Sequence, residues 1–159
     1  MGITESYITI LDNSLSKKIR ILDDVIVLNN KEKDIIGAEK FDEEAFDELV
    51  NKKGELIEVL NELDDGFELI YGKVKEELSG NKEAHTEAIK SLQQKISEIM
   101  EKSNHIKAEE VRNKAAFEKR FATLRKEVKE VKKTRQIASN YYKTMNKLTT
   151  EPVFMDKKK

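Results

Sequence analysis

The residues of this 159-residue chain that could do chemistry are two histidines, a large set of carboxylates and a run of lysines and arginines; cysteine is absent. Without cysteine there is no thiolate nucleophile, thiolate ligand or disulfide, and a reducing compartment fits. His85 and His105 stand twenty residues apart, and neither sits in the Glu-x-x-His pattern that di-iron bundles use. Both read as solvated helix residues. The glutamates alternate with lysines at spacings suited to solvation and to i,i+4 pairing, not to a converging acid–base pair. Gly66-Phe67-Glu68-Leu69-Ile70-Tyr71-Gly72-Lys73-Val74 has the outline of a phosphate loop, but five residues separate its glycines where four are needed. Val74 also replaces the Ser/Thr that would hold magnesium. No catalytic, cofactor or metal site is expected, and the chain reads as a non-enzyme.

The strongest charge feature is residues 112–135, with ten Lys/Arg against three Asp/Glu. Such a stripe could follow a phosphate backbone or lie on a membrane surface. The whole chain is slightly acidic at −1, and no helix-turn-helix, zinc or stacking motif accompanies the stripe. Neither nucleic acid nor stable membrane insertion is expected. Residues 1–80 balance to −10 and residues 81–159 to +9, so acidic and basic helices would attract one another, or the basic half would face an acidic partner. No basic-then-apolar leader and no long apolar run is visible, and the expected location is the cytoplasm.

Glu, Lys, Leu and Ile dominate the composition, as in long solvent-bathed helices. Ile8, Leu11, Leu15, Ile19, Leu22, Val25 and Ile26 step by three and four, which predicts a helix from about 5 to 35, with Thr4 as N-cap and Gly37 as the stop. Asp42 is placed to cap a second helix over about 43–79, with Phe41 stapled onto Phe46. Its seam reads Leu49, Lys53, Leu56, Leu60, Leu63, Phe67, Ile70, Val74, a heptad pattern with one polar exception. From Gly80 to Pro152 there is neither glycine nor proline. One long helix over about 82–147 follows, with 103–114, where the apolar stripe turns polar and slips phase by one residue, as the place for any bend or break. The expected architecture is a single all-α domain of three long antiparallel helices, 1–148, with a flexible tail over 149–159 that carries Val153, Phe154 and Met155.

At 1.5 Å per residue these helices measure about 45, 55 and nearly 100 Å. Folding the third back along the second brings residue ~118 level with residue 43, so that residues beyond ~119 project past the bundle. That projection carries Phe121, Leu124, Val128, Val131, Ala138, Tyr142 and Met145 along one side. An apolar stripe of this length is one a monomer rarely leaves wet. It is expected to receive a partner's amphipathic helix; a fold-back into a fourth bundle member and a homodimer seam are the alternatives.

The break "LNNKEKDIIGAEKFDEEAFDELVNKKGELIEVLNEL" and the ending "NYYKTMNKLTTEPVFMDKKK", set around a long basic helix, resemble the FlgN family of flagellar export chaperones. The resemblance implies a cytosolic chaperone of the type III flagellar export system that binds the C-terminal amphipathic segments of hook-associated (hook–filament junction) proteins. It also implies delivery to the cytoplasmic domain of the export gate. The client surface would fall on Phe117, Phe121, Leu124, Val128 and Val131, extended through Ala138 and Met145, with Tyr141 or Tyr142 near the gate contact. Residues 103–116 are more polar than the family's third helix. A structural or oligomeric coiled-coil scaffold without an export role is the competing class.

Overall fold

The computed structural model describes residues 2–124 and 131–148, and every regular element among them is helical. Helix α1 spans Ile3–Gly37 and α2 spans Glu43–Gly80; a 3-10 turn, Lys82–His85, leads into α3, Thr86–Leu124, and α4 is Val131–Leu148. The first three run 35, 38 and 39 residues and α4 only 18. At 1.5 Å per residue, α4 reaches about half as far as the others.

The helix ends are set by local chemistry and, in one case, by a distant side chain. At α2, Asp42 accepts a hydrogen bond from the Ala45 N–H at 3.0 Å, and the Phe41 and Phe46 rings lie 5.4 Å apart. Cap and staple are those the spacing predicts. Helix α1 starts one residue before the expected Thr4 cap, with extended Gly2 preceding it. It stops at Gly37 without a left-handed residue; Ala38 is extended. The freed carbonyls find a partner in α3: Arg120 donates to the carbonyl oxygens of Ile36 at 2.9 Å, Ala38 at 2.5 Å and Glu39 at 3.0 Å. Carbonyls at a helix end need partners, and here a guanidinium supplies the donors.

Helix α1 lies between α2 and α3. It runs antiparallel to α2, as Lys18–Asp64 (2.6 Å) and Glu32–Lys53 (2.5 Å) show, and parallel to α3, as Asp12–Lys95 (2.6 Å) and Asp23–Lys102 (2.7 Å) show. The third helix therefore packs chiefly on the first, not along the second. Its level is as expected, since Phe117 stacks on Phe46 at 4.8 Å near the start of α2. Leu11, Leu22, Val25, Phe46, Ile57, Leu60 and Ile106 form the most enclosed part of the core.

Three expectations need correction. Among the described residues there are four α-helices and not three: α3 ends at Leu124, and α4, from Val131, lies along α2 in the direction opposite to α3. The far end does not project: Thr134 reaches Glu43 and Asp47, and Tyr141 reaches Lys53. Helix α3 is unbroken through 103–114. The apparent phase slip came from assigning polar residues to the outside. Ile106, Glu110, Asn113 and Phe117 keep a four-three-four step and are all buried, so the stripe holds its register with polar groups in it, while Ala115 is exposed.

Candidate functional site

The same device occurs in every helix. Val25-Asn29-Glu32-Ile36 in α1, Val50-Lys53-Ile57 in α2, Ile106-Glu110-Asn113-Phe117 in α3 and Thr134-Ala138-Tyr141-Met145 in α4 step by three and four, and all are buried. Apolar residues close each run or flank its polar centre, and the polar residues meet in one layer. Periodicity aims them inward; the opposing helices supply their partners.

Lys53 is the centre of that layer. Its Nζ lies 2.5 Å from Glu32 Oε1 and 3.0 Å from Glu110 Oε2, with side-chain exposures of 0% for Lys53, 0% for Glu32 and 6% for Glu110. The ammonium also sits 4.2 Å from the centroid of the Tyr141 ring, an electrostatically favourable place for a cation. The Tyr141 hydroxyl donates to Glu110, and the Tyr142 hydroxyl donates to Glu32 Oε2 at 3.0 Å. Asn113 Nδ2 reaches both Glu32 Oε1 and the Asn29 carbonyl at 3.1 Å, and Asn29 Nδ2 donates to Glu109 at 3.1 Å. All four helices thus contribute to one hydrogen-bonded cluster.

Burial is the largest influence on Glu110 and pushes its carboxyl above the usual range; Lys53 opposes the shift, and the neighbouring Glu32 adds to it. Burial also drives both tyrosine hydroxyls far above their ordinary value, with the Glu110 and Glu32 carboxylates reinforcing the effect. Tyr141 and Tyr142 therefore remain protonated donors. Lys53 and Glu32 are fully enclosed. Among the described residues no group of three or more His, Cys, Asp or Glu could hold a metal ion. Tyr141 and Tyr142 thus supply, from α4, donors to Glu110 and Glu32, and a buried acceptor left unpaired is costly.

The residues expected to form an open stripe mostly face inward. Phe117, Ala138, Tyr141, Tyr142 and Met145 are buried, and Phe121 is half-buried, 5.4 Å from the Phe117 ring with the Arg135 guanidinium 5.6 Å from its own. Val128 and the side chains of Leu124 and Val131 lie outside the described residues, as does the tail from Thr149 onward. Buried His85, 3.0 Å from Glu77, corrects the expectation of a solvated residue, whereas His105 is exposed and pairs with Glu109 at 3.1 Å. Asn29, Glu32, Glu109, Glu110, Asn113 and Thr134 were missed as a group. Their signal was present: lysine in the α2 seam and carboxylates and amides on the core step of α1 and α3.

Among the described residues no helix is long and apolar enough to cross a membrane. Compared with family models, curated proteins and solved structures, the chain matches none.

Proposed function

We propose that this bundle holds other proteins by an exchangeable fourth helix, and that it acts as a cytosolic flagellar export chaperone for the C-terminal amphipathic segments of hook-associated proteins. The observation that carries the reading is α4 itself: an 18-residue basic helix seated beside α2 in a bundle whose other members are twice as long. It carries five Lys/Arg and no Asp or Glu, opposite the acidic first turns of α2. Its inward face is short, with Ala138, Tyr141, Tyr142 and Met145 and hydrogen bonds from three hydroxyls. The α1–α2–α3 helices are about twice as long and pack over a longer interface, so α4 is the element with least to lose on opening.

A client helix that takes the fourth corner would contact Phe117, Phe121 and the adjoining face of α2. The displaced segment, with Leu124, Val128, Val131, Ala138 and Met145, would become available to the same client. Tyr141 or Tyr142 would become available to the cytoplasmic domain of the export gate. Moderate affinity follows, since binding must both release α4 and order the client, and a chaperone that hands its client on needs that.

The test is titration of the isotope-labelled full chain with a peptide from the C-terminus of a hook-associated protein. Shifts concentrated in residues 117–145 and in the α2 residues beside them are expected. Absence of binding at millimolar peptide would end the proposal. A stable homodimer burying Phe117 through Val131 would favour the scaffold reading.

A further inference from the structure

The fourth corner has a polar floor, and a helix replacing α4 must match it. The residues of the Lys53–Glu32–Glu110 group come from α1, α2 and α3. It holds two carboxylates against one ammonium and the Asn113 amide on Glu32, and each carboxylate keeps an oxygen for a further donor. Helix α4 meets them with adjacent donors, Tyr141 to Glu110 and Tyr142 to Glu32. Three residues before the first donor, Ala138 is 2% exposed; four residues after it, Met145 is 2% exposed. Thr134, one turn before Ala138, donates to the carboxylate of Asp47 at 3.3 Å. Along the rim, the opposing α2 residues 43–48 include four acids and no base.

We propose that this cluster is a selectivity filter for protein partners. It admits a basic amphipathic helix with two adjacent hydrogen-bond donors, a small residue three positions before the first and a flexible apolar residue four positions after it. The inference rests on the exchangeable-helix reading above and adds to it the chemistry of the occupant. A purely apolar helix, however well shaped, takes one donor from each carboxylate, leaving Glu32 with Lys53 and Asn113 and Glu110 with Lys53 alone. The cluster therefore rejects the generic leucine-rich helices common in cells while accepting a hydroxyl- or amide-bearing one, the logic by which a buried polar group specifies a partner at a cost in affinity. A second copy of this chain, offering its own α4, is the competing occupant.

The experiment uses the full chain carrying Y141F/Y142F, so that its own α4 no longer satisfies the cluster, and two fluorescent peptides. One has the sequence of residues 131–148; the other is identical except that both tyrosines are phenylalanine. The tyrosine peptide is expected to bind about tenfold tighter or more, the loss associated with a hydrogen bond to a charged acceptor. In a chain that also carries K53M, E32L and E110L the preference should vanish or reverse. Equal affinities for the Y141F/Y142F chain overturn the proposal, and that comparison stands even if the triple replacement fails to fold. A tenfold preference that persists without the triad also overturns it. So does a wild-type chain that runs as a dimer and becomes monomeric with Y141F/Y142F, since the corner would then belong to a second copy. A hook-associated peptide that fails to bind while the tyrosine preference holds defeats the chaperone reading alone. One that binds with no need for donors defeats the filter alone.

Discussion

At the scale of single residues, Lys53 is the position with most at stake. Removing it by Lys53→Met leaves Glu32 and Glu110 buried without their cation, and should cost about 3–5 kcal/mol in chemical denaturation. Replacing Lys53, Glu32 and Glu110 together by Met, Leu and Leu should come out near neutral or more stable by about 1–4 kcal/mol, because the desolvation of all three charges is removed with their attraction. A triple variant weaker than K53M would show that the cluster stabilises the fold outright. Glu110 also sets a pH dependence. Its folded pKa lies above the ordinary glutamate value, chiefly through burial. Its contribution is therefore fully present below that ordinary value and is lost as pH rises through the raised one. Asp12 has the opposite sign. Burial, the largest influence, raises its pKa, yet Lys95 and Ser91 together hold it low, so its contribution is lost on acidification. E110Q should flatten the decline in denaturation midpoint as pH rises above the ordinary glutamate range, while leaving the acid limb.

At the scale of elements, α4 differs from the rest in how it is held. Substituting phenylalanine for both tyrosines removes two hydroxyl donors and leaves the α1–α2–α3 packing intact. Amide exchange in residues 131–148 should then accelerate at least tenfold, with protection at Leu22, Ile57 and Ile106 little changed. Uniform acceleration would mean that α4 is integral to the core. The α2 glycines offer a test in the other direction. A Cβ added at Gly66 or Gly72 meets nothing within 4 Å, and neither residue has positive φ. Each Gly→Ala change should raise stability by about 0.5–1 kcal/mol, read from the thermal midpoint. The Arg120 clamp is a third element-scale feature: Arg120→Ala should speed exchange at residues 36–39 and loosen the α1–α2 turn, since three carbonyls lose their donor.

At the scale of the molecule, the charge asymmetry of the two halves has a structural outlet. Acids of α1 pair with lysines of α3 through Asp12–Lys95 and Asp23–Lys102, and the basic α4 lies beside the acidic α2. The more exposed of these pairs contribute little each, so moderate salt should change the melting temperature by only a few degrees. Binding of a basic client to the α2 rim should weaken more steeply with salt, because steering by unlike charge is screened over about 10 Å. Salt titration of peptide affinity beside thermal melting separates the two.

Much was legible without coordinates. The apolar steps of α1 and α2, the Asp42 cap with its Phe41–Phe46 staple and the level at which residue ~118 meets the start of α2 follow from local propensity and a fixed rise per residue. These depend on near neighbours in the chain, which the sequence displays directly. The reversal of α4 against α3 did not follow, because 125–130 holds no glycine or proline to announce it. The decision to pack α4 back rests on contacts far away in sequence. The polar layer was half legible: Lys53 stood out in its seam, but Glu32, Glu110 and Asn113 looked like surface residues. A charge at a core position and a charge on a solvated face read identically until its partners are known, and only tertiary structure brings Lys53, 57 residues away, to Glu110.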